Sequence, residues 1–255
     1  MESESGTFPM ATHMHTARAT TLSKYPCVLL LSGIALALAS PAFGDFFVDD
    51  YEVDEVGTCN VESWISFASN KDFMAVTSPT CVVKIGIPVE IGAEYQRNRE
   101  SDAWKTSGAV SGKITLLPMT NGIGVGLAGQ TNWNLLSGAS TGGNIYVPVT
   151  FDVGHNLRWN LNGGYLYDAT TKFSYATWGT SLEWQFHPKV ALIGEIFGQA
   201  GPTGETISTT QPRFQTGIRY SVTSNTDVSL IYGRNINGEN ANWITLDVNF
   251  GFKAQ

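Results

Sequence analysis

The side chains with most to do chemically are Glu90, Glu94, Lys113, Asp152, Arg158, Glu183, Glu195, Arg213, Arg219, Arg234 and Asp247. They fall within runs whose apolar residues recur at every second position, so an extended chain carries them away from its oily side. Acids and bases are mixed among them. Their chemistry is therefore ion pairing, or the lining of a weakly selective aqueous path, with Glu90, Glu94, Glu195, Arg213, Arg219 and Arg234 the first candidates for such a path. In register, Asp152 falls opposite Arg158 across the short Gly154–Asn156 turn. Arg213 and Arg219 share a strand from which they can reach Asp247 or Glu183.

Catalysis finds less support. A base working near neutral pH is usually His, and beyond the first 44 residues only His155 and His187 occur. Both belong to short turns, and no set of Ser, His and acid gathers at the opposite end. No catalytic residue, no cofactor and no metal site is expected. Cys59 and Cys81 flank a turn-rich Ser69–Asp72 tetrapeptide and stand equally far from Asn70, which predicts a disulfide stapling a hairpin.

The elements that must position these groups are strands. Period-two runs fall at about 89–96, 104–116, 123–133, 144–153, 157–167, 176–186, 190–199, 212–222, 226–234 and 243–252. The stapled hairpin at 59–81 would raise these ten to twelve. Its arms have the 9 to 11 residues that a spanning strand needs, although both its faces are apolar. Short connections such as Gly154–Asn156, His187–Lys189 and Thr223–Asn225 alternate with longer polar ones. Such alternation describes an up-and-down meander with two unlike ends.

One face across these strands is uncharged. Along Trp243–Phe252 it carries Ile244, Leu246, Val248, Phe250 and Phe252, while Thr245, Asp247, Asn249 and Gly251 take the other. A soluble barrel would cover its polar exterior densely with Lys and Glu. This chain is only 15% charged, against roughly 25% for ordinary soluble domains. Aromatics concentrate at both strand ends: Tyr95, Trp104, Trp133, Tyr165 and Trp243 at one, Trp159, Trp184, Phe186, Phe250 and Phe252 at the other. Two aromatic belts about an aliphatic band suit a bilayer, so the oily face is expected to meet lipid.

The N-terminus reads as a processed leader. Arg18 and Lys24 precede the apolar run Cys27–Ala39, and small residues at Ala42 and Gly44 suit cleavage before Asp45. Residues 1–44 are thus expected to hold a signal peptide, and since the residues before Met14 add nothing to one, its expected true start is Met10 or Met14. Residues 45–58 form an acidic tail expected to be solvated. Residues 59–81 are the hairpin, and 82–255 the barrel. With net charge −7 and no basic patch, nucleic acid is not an expected partner.

The leader, the meandering strands and a final strand with alternating aromatics resemble the outer-membrane β-barrel proteins of Gram-negative bacteria. Here Lys253, Ala254 and Gln255 follow the last aromatic, where that class usually ends on it. The segments PVEIGAEYQRNR, RFQTGIRY and LIYGRNINGENANWITLDVNF resemble an uncharacterised barrel family of rhizobia and relatives, over roughly Cys59 to Phe252. The resemblance implies an all-β, up-and-down antiparallel transmembrane barrel reached after export through the periplasm. It also implies outer-membrane lipid and the barrel-assembly machinery as partners. The expected function is a narrow, porin-like passive channel for small solutes, the alternative a closed structural or surface-interaction barrel.

Overall fold

A computed structural model describes residues 46–100, 102–201, 212–236 and 241–254. The signal peptide and its cleavage site lie outside the described residues, as do most of the 201–212 connection and part of the 236–241 connection. Twelve antiparallel strands close on themselves. In chain order they are β1 Thr58–Ala68, β2 Phe73–Ile85, β3 Ile87–Glu100, β4 Ala103–Thr120, β5 Ile123–Asn134 and β6 Ser140–Gly154. The second half comprises β7 Leu157–Asp168, β8 Phe173–His187, β9 Val190–Ala200, β10 Arg213–Thr223, β11 Thr226–Asn235 and β12 Asn242–Lys253. Each strand pairs with its sequence neighbour, and β1 pairs with β12, from Thr58 opposite Lys253 to Ala68 opposite Trp243.

The hairpin is part of the wall. Its apparent two-sidedness resolves into an inner cluster of Trp64, Met74 and Val76 and an exposed Ile65 and Phe67. Cys59 stands opposite Cys81 and is bonded to it, on the odd-numbered, outward register of β1.

Burial follows the period of two. On β12, Ile244 is 51% exposed and Leu246 49%, whereas Asp247 is 2% and Asn249 1% exposed. The same outward exposure continues through Ile91, Val110, Ile145, Leu182, Ile196, Ile218 and Leu230. Exposed Tyr95, Trp104, Tyr165 and Tyr232 flank this band at one end, and Trp159, Trp184, Phe186 and Phe250 at the other. An aliphatic girdle between aromatic rims is solvated by lipid rather than water. Trp243, expected in the rim, points inward instead and donates its indole N–H to Gln215 at 3.3 Å.

The strands outrun the sequence expectation at the long-loop end. Arg97–Glu100 and Phe173–Tyr175, expected as loop, extend β3 and β8. Ladder pairing there, such as Arg99 opposite Trp104, satisfies backbone groups that a polar composition alone had suggested were free. At the short-turn end β4 likewise continues to Thr120 through an irregular register.

Candidate functional site

The lumen is built from the inward register of every strand. The structure places Glu90 and Glu94 on β3, Lys113 on β4, Arg158 on β7, Glu183 on β8, Glu195 on β9, Arg213 and Arg219 on β10 and Asp247 on β12 on that register. Asp152 shares the register but lies exposed at the short-turn mouth, where it accepts the Gly154 N–H at 2.9 Å. Arg234 departs from the expectation. It follows Leu230 and Tyr232 on the exposed, outward register of β11 and is not a lumen residue. At the barrel end its long stem can lie along apolar surface while the guanidinium reaches water.

The largest correction concerns the acidic lead. Expected to be a solvated tail, residues 46–54 instead run inside the barrel, with Asp49, Asp50 and Asp54 buried. Thr58 N–H bonds to Glu55 C=O in a tight turn, and Gly57 takes a φ of +88° that favours glycine. The chain therefore reverses at the short-turn mouth between the lumenal segment and β1.

This segment is held by side chains of the wall rather than by strand pairing. Lys113 Nζ reaches Asp49 at 2.8 Å and Asp50 at 3.1 Å. Tyr146 donates its hydroxyl to the other Asp49 oxygen at 2.8 Å. The Asn162 amide brackets the Asp49 backbone, accepting from its N–H at 2.7 Å and donating to its carbonyl at 2.9 Å. Glu195 accepts the N–H groups of Phe47 and Val48 at 2.6 and 2.9 Å, and Gln215 donates to the same carboxylate at 2.6 Å. Nearer the mouth, Tyr51 N–H donates to Thr150, Val53 N–H to Thr115, and Glu52 sits 3.9 Å from Arg158. Burial pushes the Glu52 carboxyl up to about 7, with Asp50 adding to the rise and the Arg158 guanidinium opposing it.

Apolar contacts reinforce the polar ones. Phe46 packs with Ile193 and Ile231 under the Arg219 guanidinium, and Val48 with Phe197 and Trp243. The Phe47 ring stacks on Phe197 with centroids 4.0 Å apart. Space for the segment is cut into the wall by inward glycines. A Cβ on Gly124 would stand 2.5 Å from the Tyr51 ring, one on Gly126 2.9 Å from the Tyr51 carbonyl, and one on Gly179 2.7 Å from Val48. Gly124→Ala is therefore expected to expel Tyr51 while leaving the barrel wall paired. Limited proteolysis at the Tyr51 peptide bonds, faster in the variant under conditions where heat-modifiable gel mobility is kept, would show this. Equal cleavage rates would mean that the segment tolerates the methyl group.

Lys113 and Glu90 are cross-strand register partners. Yet neither Glu90 oxygen makes a hydrogen bond, because the ammonium turns to the segment. Arg219 of β10 does meet Glu183 of β8, at 2.8 Å, reaching past the intervening β9 rather than across the lumen. Asp227 and Asp247, on the next two strands along the wall from Arg219, are buried as well.

Above the segment, toward the long-loop end, the lumen opens into a cavity of about 530 Å³. Its floor is the Phe47–Phe197 pair, and its walls carry carboxamides from β3, β5, β6 and β9. The composition of this vestibule had not been singled out in the sequence. The signal was there in the alternate positions Gln96 and Asn98, and Gln130, Asn132 and Asn134.

Known structures share the barrel fold. The KdgM porin, solved in complex with disordered oligogalacturonate, matches with a TM-score of 0.58 at 8% identity, over 76% of this chain and 99% of that one. The NanC porin matches with a TM-score of 0.59 at 10% identity, over 74% and 98%. An outer membrane channel from Pseudomonas putida F1 matches with a TM-score of 0.58 at 11% identity, over 80% and 98%. At these identities the likeness is one of fold. No curated protein matches the sequence. The model of the family described as "Uncharacterised conserved protein UCP029691" matches residues 29–252, and the chain, with its twelve-stranded barrel, belongs to that family.

Proposed function

We propose that the protein is a narrow outer-membrane channel for small polar solutes, whose own N-terminal segment obstructs the lower lumen in the resting state. The observation that carries this reading is the polar vestibule at one end of a lipid-facing barrel, ending on a segment outside the strand ladder that side chains of the wall grip. A structural barrel needs neither an open 530 Å³ mouth nor wall glycines shaped to a removable strand. The similar folds include porins, one of them solved with an oligogalacturonate. In this reading the short-turn end, where β1 begins and β12 ends, faces the periplasm, and the protein reaches the outer membrane by export and the barrel-assembly machinery. No catalytic step is assigned. His155 and His187 both sit at the short-turn end, away from the vestibule.

The second reading, a closed barrel, is favoured by the same segment if it never leaves. Planar-bilayer recording on folded protein separates the two. The channel reading expects infrequent discrete steps whose open fraction rises with pH. Docking raises the Glu52 carboxyl, so docking takes up a proton. Its contribution is fully present below the ordinary carboxylate value and is lost as pH rises through about 7. A bilayer that stays silent from acid to mildly alkaline pH would favour the closed barrel.

A further inference from the structure

The vestibule is lined by an unusual set of groups for an ion path. Gln96, Asn98, Gln130, Asn132, Asn144 and Gln199 all face it. A carboxamide carries two donors and an acceptor but no charge. The formal charges nearby are mostly engaged: Lys105 with Glu100 at 2.5 Å, and Arg213 with Asn235 at 3.3 Å. The mouth thus offers neither a ring of cations for an acid nor a ring of acids for a cation, the two devices by which pores select ions.

Some of its hydrogen-bonding capacity is unspent. Asn98 is 4% exposed and its amide oxygen has no partner, and the same holds for the amide oxygen of Asn144 and one oxygen of Glu94. These atoms belong to residues around one cavity, above an aromatic floor. A cavity of about 530 Å³ lies within the range of small-molecule sites, roughly 300–1,000 Å³. Many neutral donors and acceptors around an apolar floor complement a molecule with many hydroxyls on one side and C–H groups on another.

We propose that the vestibule is a binding site for a neutral polyhydroxylated solute of saccharide class, its hydroxyls bridged by the carboxamides of β3, β5 and β6 and its ring face laid on Phe47 and Phe197. The proposal deepens the channel reading and rests on it for the solute's onward path. Because Phe47 belongs to the lumenal segment, the bound solute touches the obstruction itself.

The test is equilibrium binding of maltose and of glucuronate to folded, detergent-purified full-length mature protein, by dialysis and saturation-transfer NMR. Maltose is expected to bind, and glucuronate at least several-fold more weakly. Gln130 donates to Asn132 at 2.6 Å, so replacing both by Leu removes the pair without stranding either member. That double variant is expected to weaken maltose binding about tenfold. Should it fail to fold by heat-modifiable mobility, Phe47→Ala, which lies outside the strands, carries the same expectation. Absent maltose binding, tighter binding of glucuronate, or unchanged maltose binding in either folded variant would overturn the site. A silent bilayer with maltose bound would remove the channel and leave the site. A conducting barrel that takes no maltose would remove the site and leave the channel.

Discussion

Deleting residues 46–56 from the mature chain is expected to turn an intermittent conductance into a steady one, larger by roughly tenfold or more, since twelve strands lie between the filled eight-stranded and the open sixteen-stranded barrels. The segment adds no hydrogen bonds to the ladder, so the wall should survive its loss. What it does contribute is occupancy: Tyr51 against Gly124, Val48 against Gly179 and Phe46 beneath Arg219 fill the cross-section. Its removal also exposes a wall on which, among the described residues, the acids Glu62, Glu90, Glu94, Glu183, Glu195, Asp227 and Asp247 outnumber the bases Lys113, Arg158, Arg213 and Arg219. The open variant should therefore prefer cations, where the sequence had suggested weak selectivity. Reversal potentials in a salt gradient report the preference. A deletion variant that folds yet conducts no better than the parent would show that the obstruction lies elsewhere.

Lys113→Met is expected to be the most damaging single substitution in the lumen. Lys113 is 2% exposed and bridges Asp49 and Asp50 with Glu90 opposite. Removing one side of a buried charge cluster costs about 3–5 kcal/mol, because the remaining carboxylates lose both water and partner. Here the molecule has an escape, since the segment can leave and let water in. The substitution should lower the urea midpoint of unfolding and at the same time raise the conductance. Adding Asp49→Asn should restore part of both, because it removes a stranded charge, and the double-mutant cycle measures that coupling. Independent, additive effects would show that the two residues do not share one network.

The wall was readable because a period of two survives any local accident of composition. Ile244 through Phe252 point outward because each lies two residues from the last. Arg234 was misplaced for want of the same count: with Leu230 and Tyr232 outward, the residue two positions on must follow them. The lumenal segment was opaque for a different reason. It has no periodicity of its own, and its partners lie far away in sequence, Glu195 being 148 residues from Phe47. Its acids looked like a solvated tail because Lys113 and Arg158, which meet Asp49, Asp50 and Glu52, stand far along the chain, and Arg158 had already been matched to Asp152 across a short turn. Only the inward glycines hinted otherwise, and a glycine in a strand states that something comes close without saying what.

The seam between β1 and β12 has a consequence for how the barrel is assembled. It joins Thr58 to Lys253, almost the full length of the described chain, and loop closure over such distances is the slowest part of building a sheet. The lumenal segment immediately precedes β1 and binds β4, β6, β7 and β9, which lie between the two edges. Once those strands have formed, docking of the segment would hold β1 near the unfinished wall until β12 arrives, while the Cys59–Cys81 bond keeps β2 in step with it. The piece of chain that obstructs the finished lumen is then also a tether that guides its closure.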